Sequence, residues 1–257
     1  MSASTKTVIG LVVIALLIAA AAFGLTGERD QAQTPNAVDV QAPPTENSPT
    51  AENNHDAGSI ADFDYYVLVL SWSPTHCASE RGRGADDDLQ CRSGRPYGFV
   101  LHGLWPQYER GYPQNCASDE PRKVASELMD DMLKISPSAE LVQHEWEKHG
   151  TCSGLSQVAY FAAAKRAFES IAIPSEYERL AQPVAVTPEE LRGAFVKANR
   201  TLSTDAISAT CRRNELAEIW ICLDRALAPR SCAADVGKRH CRGREVRMRA
   251  VRGNWPR

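Results

Sequence analysis

The chain has 257 residues, enough for one large domain or two small ones around a sizeable core. With 43% apolar and 24% charged residues it has a globular composition, which excludes wholesale disorder. The net charge of −3, from 29 basic and 32 acidic side chains, gives no overall sign of a polyanion ligand.

Lys6 precedes an uncharged apolar run of 18 residues, Val8 to Leu25, that ends among Ala19, Ala20, Ala21 and Ala22. A basic start, an apolar stretch and small residues at its end predict an export signal. The run is also just long enough to span a bilayer, so cleavage and retention as a membrane tether are both open. With Lys6 on the inner side, the remainder of the chain lies outside the cytosol. From Thr26 to Ile60 the chain carries Pro35, Pro43, Pro44 and Pro49 among polar residues and has no aromatic side chain, the pattern of a flexible linker. Three segments are therefore expected: a leader or anchor over 1–25, a linker over 26–60 and a folded domain over 61–257.

Within the domain, Phe63 to Trp72 (FDYYVLVLSW) reads as a buried strand, and Gly98 to Leu104 as a second. Pro121 is expected to open a helix with Val124, Leu128 and Met132 on one face. A further helix is predicted from His144 to a C-cap at Gly150. Val158 to Ile171 is alanine-rich and helical in pattern. Thr187, Pro188, Glu189 and Glu190 form a capping box with proline at the first helical position, so a helix should run to about Asn199. Glu215 to Asp224 and Arg244 to Val251 read as strands, the second alternating Val246, Met248 and Ala250 with Arg247, Arg249 and Val251. Strands and helices mix without βαβ alternation, which predicts an α+β fold.

Eight cysteines, an even number without C-x2-C or C-x4-C spacing, favour disulfides over metal ligation and so an oxidising compartment. From the count alone, 105 pairings are open.

Two segments concentrate chemistry: His102-Gly-Leu-Trp105-Pro-Gln107 and His144-Glu145-Trp146-Glu147-Lys148-His149-Gly150-Thr-Cys152. On a helix His144 and Lys148 are neighbours one turn apart, as are Glu145 and His149. The face they share holds two imidazoles, an ammonium and a carboxylate. His144-Glu145 also begins the H-E-x-x-H zinc motif, but histidines at i and i+5 lie about 140° apart and would not readily hold one ion. Without a metal, one neutral and one charged imidazole supply the base and the acid that RNA cleavage needs, and a lysine can stabilise the anionic phosphorane.

HGLWPQ and HEWEKHGTC resemble the two active-site segments of the RNase T2 family of secreted ribonucleases. The likeness runs from about Tyr65 to Cys241 and includes VLSWSPTHC and LAEIWICLD. It implies an α+β fold with a central antiparallel sheet flanked by helices and stabilised by disulfides. It also implies a metal-independent endoribonuclease acting through a 2′,3′-cyclic phosphate to leave 3′-phosphate ends. By position, His102 and His149 are the acid–base pair, with His149 as base and His102 as acid. Glu145 and Lys148 stabilise the phosphorane, and Glu145 also orients His149. His144 binds phosphate and Trp105 holds phosphate or base, while Trp146 belongs to the core. The resemblance pairs Cys77 with Cys91, Cys116 with Cys152, Cys211 with Cys241 and Cys222 with Cys232. No metal or cofactor is implied, RNA is the expected partner, and a monomer is expected.

Gln107 and Leu141 stand where some relatives carry Asp and an aromatic residue, so base preference does not carry over. Tyr108 and Tyr112 are candidates for stacking on a base. The competing function is an RNA- or partner-binding secreted protein whose role does not depend on turnover; lost catalytic residues would favour it, and no motif residue is missing. The charge is also uneven. Residues 1–60 carry 2 basic and 6 acidic side chains, while Arg225 to Arg257 carries 10 basic residues against Asp235 and Glu245. That basic end could attract RNA.

Overall fold

In the computed structural model, residues 62–256 are described. The leader, the linker and His55 lie outside the described residues. The first strand, β1 (Tyr65–Trp72), runs into a short helix α1 (Ser73–Cys77), and α2 (Asp88–Cys91) follows. Next come β2 (Phe99–Gln107), α3 (Ser126–Met132), α4 (Ala139–Lys148), α5 (Gln157–Glu169) and α6 (Ser175–Glu178). The chain continues through β3 (Val184–Val186), α7 (Pro188–Ala198), β4 (Ile207–Arg212), β5 (Glu215–Leu223), α8 (Ala234–Gly237) and β6 (Val246–Met248).

The six strands form one sheet in the order β2-β1-β5-β6-β3, with β4 also paired to β5. The sheet is antiparallel apart from one parallel pairing, Glu215 with Arg247, between β5 and β6. β1 is central and buried on both faces, which explains its nearly unbroken apolar sequence. Leu68, Leu70 and Trp72 join the larger core with Trp146, Tyr160 and Phe195 from the helices. Tyr65, Val67 and Val69 face the other way, against Trp220, Cys222 and Val236.

The ladder has an irregularity that matters. Val69 pairs with Gly103 and Leu70 with Leu101, so His102 is an extra residue in β2. Such a bulge bends the strand and re-aims a side chain, and bulges recur beside active sites. β4 and β5 shift register in the same neighbourhood, where Thr210 pairs with Glu218 and Cys211 with Leu216.

Several expected boundaries move. Pro121 does not open α3, because side chains from elsewhere claim the backbone there. Gln143 accepts from Val124 N–H at 3.0 Å, and Gln157 from Ala125 N–H at 2.9 Å. The helix starts at Ser126. The second motif's helix starts earlier, at Ala139 behind the N-cap Ser138, and ends at Lys148 with His149 as C-cap. Gly150 therefore opens a 3-10 turn, Gly150–Ser153, instead of capping the helix. A Cβ at Gly150 would fall on the Trp146 and Tyr160 rings, so close approach is what requires glycine there. β6 pairs only over Val246–Met248, since Val251 N–H turns to the Leu180 carbonyl. The capping box at Thr187 forms both of its hydrogen bonds.

Four disulfides join Cys77–Cys91, Cys116–Cys152, Cys211–Cys241 and Cys222–Cys232, the pairs the resemblance implies. Among the described residues no helix is long and apolar enough to cross a membrane.

Candidate active site

The His102 bulge turns its imidazole across β1 toward β5. Nδ1 stands 2.7 Å from Glu218 Oε1 and 3.3 Å from Ser71 Oγ. The other Glu218 oxygen accepts from Trp220 Nε1 at 2.8 Å and Thr210 Oγ1 at 3.4 Å. Burial pushes the His102 pKa down, but the hydrogen bond to Glu218 and the charges of Glu145 and Glu218 outweigh it, so the net direction is up. Glu218 is affected reciprocally: burial raises its pKa, and the bond to His102 holds the net value below the ordinary carboxylate range.

On its other side, His102 Nε2 lies 3.5 Å from Glu145 Oε1. Glu145 is buried on the inward face of α4, and its second oxygen accepts from Trp105 Nε1 at 2.5 Å. Burial pushes this carboxyl up to about 7, against the opposing pull of His102 and the indole bond. The carboxyl packs onto bare backbone: a Cβ at Gly103 would fall on Glu145 and on the Trp105 indole nitrogen. The sequence expectation that Glu145 orients His149 is corrected here, because its carboxyl faces His102 and Trp105.

His149, at the C-cap of α4, is buried and lies flat on Trp105, with ring centroids 4.9 Å apart and planes 20° apart. Trp105 meets His102 edge-on at 5.2 Å, so one indole contacts both histidines. His149 Nδ1 has no hydrogen-bond partner among the described residues. Burial, reinforced by the positive charges of Lys148, His102 and His144, pushes the His149 pKa down to about 3. The two imidazoles thus sit in environments that favour opposite protonation states.

They open onto different clefts. An inner cleft of about 530 Å³ is lined by His102, His144, Ser71, Leu141 and Glu218. A smaller one of about 180 Å³ is lined by His149, Lys148, Trp105, Gln107, Tyr112 and Trp220. His144 and Lys148 are neighbours on α4 yet serve different clefts. Burial and then Lys148 push the exposed His144 below the ordinary histidine pKa. Tyr112 joins the site, its ring 6.2 Å from that of His149. Tyr108 does not: it is exposed and lines neither cleft, because β2 ends at Gln107 and the chain turns back through a Tyr108 N–H to Gly111 bond.

Behind the site, Asn115 N–H donates to the Lys148 carbonyl at 2.8 Å, and the Cys116–Cys152 bridge ties that loop to the turn after α4. Trp146 is fully buried, as expected, and its indole donates to the Pro121 carbonyl at 2.8 Å. Glu218 and Trp220 are the participants that sequence reasoning missed. The available signal was Glu218 as the one charge in LAEIWICL, since a carboxylate inside a buried strand needs a partner.

The sequence model of the Ribonuclease T2 family matches residues 63–232. The chain belongs to that family. A ribonuclease of Aeromonas hydrophila is 36% identical over 201 residues, spanning 76% of this chain and 89% of that protein. Among solved structures, an RNase-related protein from Calystegia sepium aligns with a TM-score of 0.59 at 25% identity, over 74% of this chain and 98% of that one. RNase NT in complex with 5′-AMP aligns with a TM-score of 0.51, also at 25% identity, over 74% of this chain and 99% of that one. This T2 ribonuclease is an endoribonuclease with the α+β fold of its relatives, and four disulfides hold it.

Proposed function

We propose that this ribonuclease cleaves single-stranded RNA by transphosphorylation, with His149 as general base and His102 as general acid. The observation that carries this reading is the contrast between two imidazoles that share one indole: His102 is bonded to the Glu218 carboxylate, whereas His149 is buried with no partner for Nδ1 among the described residues. His149, kept neutral by burial, takes the proton of the ribose 2′-hydroxyl as that oxygen attacks phosphorus. The bond from phosphorus to the 5′-oxygen breaks, and His102, kept charged by Glu218, gives its proton to the departing oxygen. The products are a 2′,3′-cyclic phosphate and a 5′-hydroxyl. Water then opens the cycle with the two roles reversed, leaving a 3′-phosphate.

Lys148 adds positive charge beside His149, where the phosphorane oxygens gather negative charge. Glu145, held protonated below about pH 7, can donate a hydrogen bond to the same oxygens. The reaction so drawn needs no metal or cofactor. His144, facing the inner cleft, suits a flanking phosphate, and Trp105 with Tyr112 forms an aromatic wall for the upstream base. The enzyme acts as an exported monomer, and its four disulfides suit an oxidising compartment.

The test is incubation of the purified protein with RNA in excess EDTA, with end-group analysis over time. Cyclic phosphate ends that later become 3′-phosphates are expected. Uncleaved RNA, or products that never carry the cycle, would overturn the mechanism.

A further inference from the structure

Beyond the inner cleft lies a second opening of about 490 Å³ that shares Thr75, Arg81 and Arg212 with it. Arg83 and Arg213 line its outer wall. All four arginines are exposed, and none makes an ion pair among the described residues. Arg249, also on this wall, is held by Glu215 at 2.7 and 2.8 Å, which leaves Glu80 as the remaining carboxylate there. The inner cleft is mixed in charge: besides Arg81, Arg212 and His102 it is lined by Asp86, Asp87, Glu140 and Glu218, and Asp87 pairs with His76 at 3.0 Å. The excess of arginine over carboxylate is therefore greater at the outer opening than at the inner cleft.

Two turns present Arg81, Arg83 and Arg213, and Arg212 ends β4 beside the second. Arg213 and Asn214 form the β4–β5 hairpin tip with φ of 52° and 63°, a geometry that favours glycine or asparagine, yet the first position holds arginine. Arg81 and Arg83 flank Gly82, whose missing Cβ lets the turn lie against α1; a methyl there would meet the His76 carbonyl and Cys77. Arg92 donates to the Gly82 carbonyl at 2.8 Å, and the Cys77–Cys91 bridge closes the segment. These contacts hold the backbone from which the guanidinium groups extend, which lowers the ordering cost of binding a ligand there.

We infer that this outer cleft binds the phosphates of the RNA strand on the 3′ side of the scissile bond. The polarity rests on the proposed acid–base roles. His102 serves the departing 5′-oxygen and opens on the inner cleft, so the nucleotide 3′ of the cut enters there. The strand that follows leaves past Arg81 and Arg212 to Arg83 and Arg213. Preference for a long single strand then arises outside the reacting dinucleotide.

The test uses deoxyoligonucleotides with one ribonucleotide, so that cleavage occurs at one position. A dinucleotide is compared with versions extended by four nucleotides on the 3′ or the 5′ side. The proteins are wild type and the Arg83→Gln/Arg213→Asn double variant; asparagine suits the left-handed turn, so the fold is kept. For wild type at low salt the 3′ extension raises kcat/KM at least about tenfold. The double variant loses most of that gain and keeps the response to the 5′ extension. Its dependence of log kcat/KM on log salt flattens by about 1.4, at about 0.7 for each lost single-strand phosphate contact. A 3′ gain that survives in the variant, or a variant that loses the 5′ gain instead, overturns the inference. Dinucleotide product ends report on the mechanism separately: a dinucleotide cut without a cyclic phosphate would sink the mechanism, whereas the length dependence reads the arginines.

Discussion

His102 on β2 reaches over Ser71 of the central strand to place Nδ1 2.7 Å from the Glu218 carboxylate on β5. The contact exists because of the bulge at His102, which takes this residue out of the ladder. Its consequence is electrostatic. Glu218 keeps the imidazole charged to a higher pH than a free histidine would allow, so a general acid remains available. Loss of that proton should set the alkaline limb of the pH–rate profile above the ordinary histidine value of about 6.5. The limb of lost activity on the acid side lies well below, near the depressed value of about 3 for His149. Glu218→Gln keeps an acceptor for Nδ1 but removes the charge. The profile of kcat/KM should show its alkaline limb moved to lower pH, with activity above pH 7 falling about tenfold for each pH unit of displacement. An unmoved limb would mean that His102 is not the group that titrates.

The division of labour between the two histidines can be separated by the leaving group. His102→Ala and His149→Ala should each lower cleavage of RNA by about 10²–10⁴, the usual worth of a positioned acid or base. A nucleoside 3′-phosphate ester with an activated aryl leaving group needs no acid. On that substrate His102→Ala should recover to within about tenfold of wild type, while His149→Ala stays impaired by its full factor. Recovery of His149→Ala instead would reverse the two roles.

The sequence made the motifs legible because their chemistry is local. His144, Glu145, Lys148 and His149 share a helix, and their relative faces follow from 100° per residue. β1 and the Thr187 capping box were legible for the same reason. What could not be read is non-local. The Glu218 carboxylate comes to His102 from 116 residues away, through sheet register and a bulge that no periodicity announces. Glu145 was expected beside His149 on the strength of helical spacing, yet the glycine gap at Gly103 draws its carboxyl to β2. Pro121 failed as a helix start for a related reason, since glutamine side chains from two later helices hold its neighbours' backbone.

The glycine gap itself gives a sharp expectation. Gly103→Ala adds one methyl where the Glu145 carboxyl and the Trp105 indole nitrogen meet. Both groups must move, and both belong to the site. A core this tight resists overpacking, so a stability loss of about 1–3 kcal/mol should accompany a fall in kcat of at least about 10²-fold. Urea unfolding and steady-state kinetics on the same preparation read the two effects. Full activity in a stable variant would show that the Glu145–Trp105 contact is dispensable.

Glu145 should weaken the fold as the pH rises. Its carboxyl titrates near 4.5 when exposed and near 7 in the folded site. The folded state therefore holds the proton more tightly than the unfolded chain. Stability is fully present below about pH 4.5, falls as the pH rises toward 7, and then levels, because above 7 both states are ionised. At 1.36 kcal/mol for each pH unit between the two values, the loss amounts to about 3 kcal/mol. Glu145→Gln removes the titration while its amide oxygen can still accept from the Trp105 indole. In urea unfolding, the variant should match wild type near pH 4 and exceed it by up to about 3 kcal/mol at pH 8, while its RNA cleavage falls at least about tenfold. A variant no more stable than wild type at pH 8 would show that the buried carboxyl is ionised at little cost, and its role as a protonated donor to the phosphorane would fall with that result.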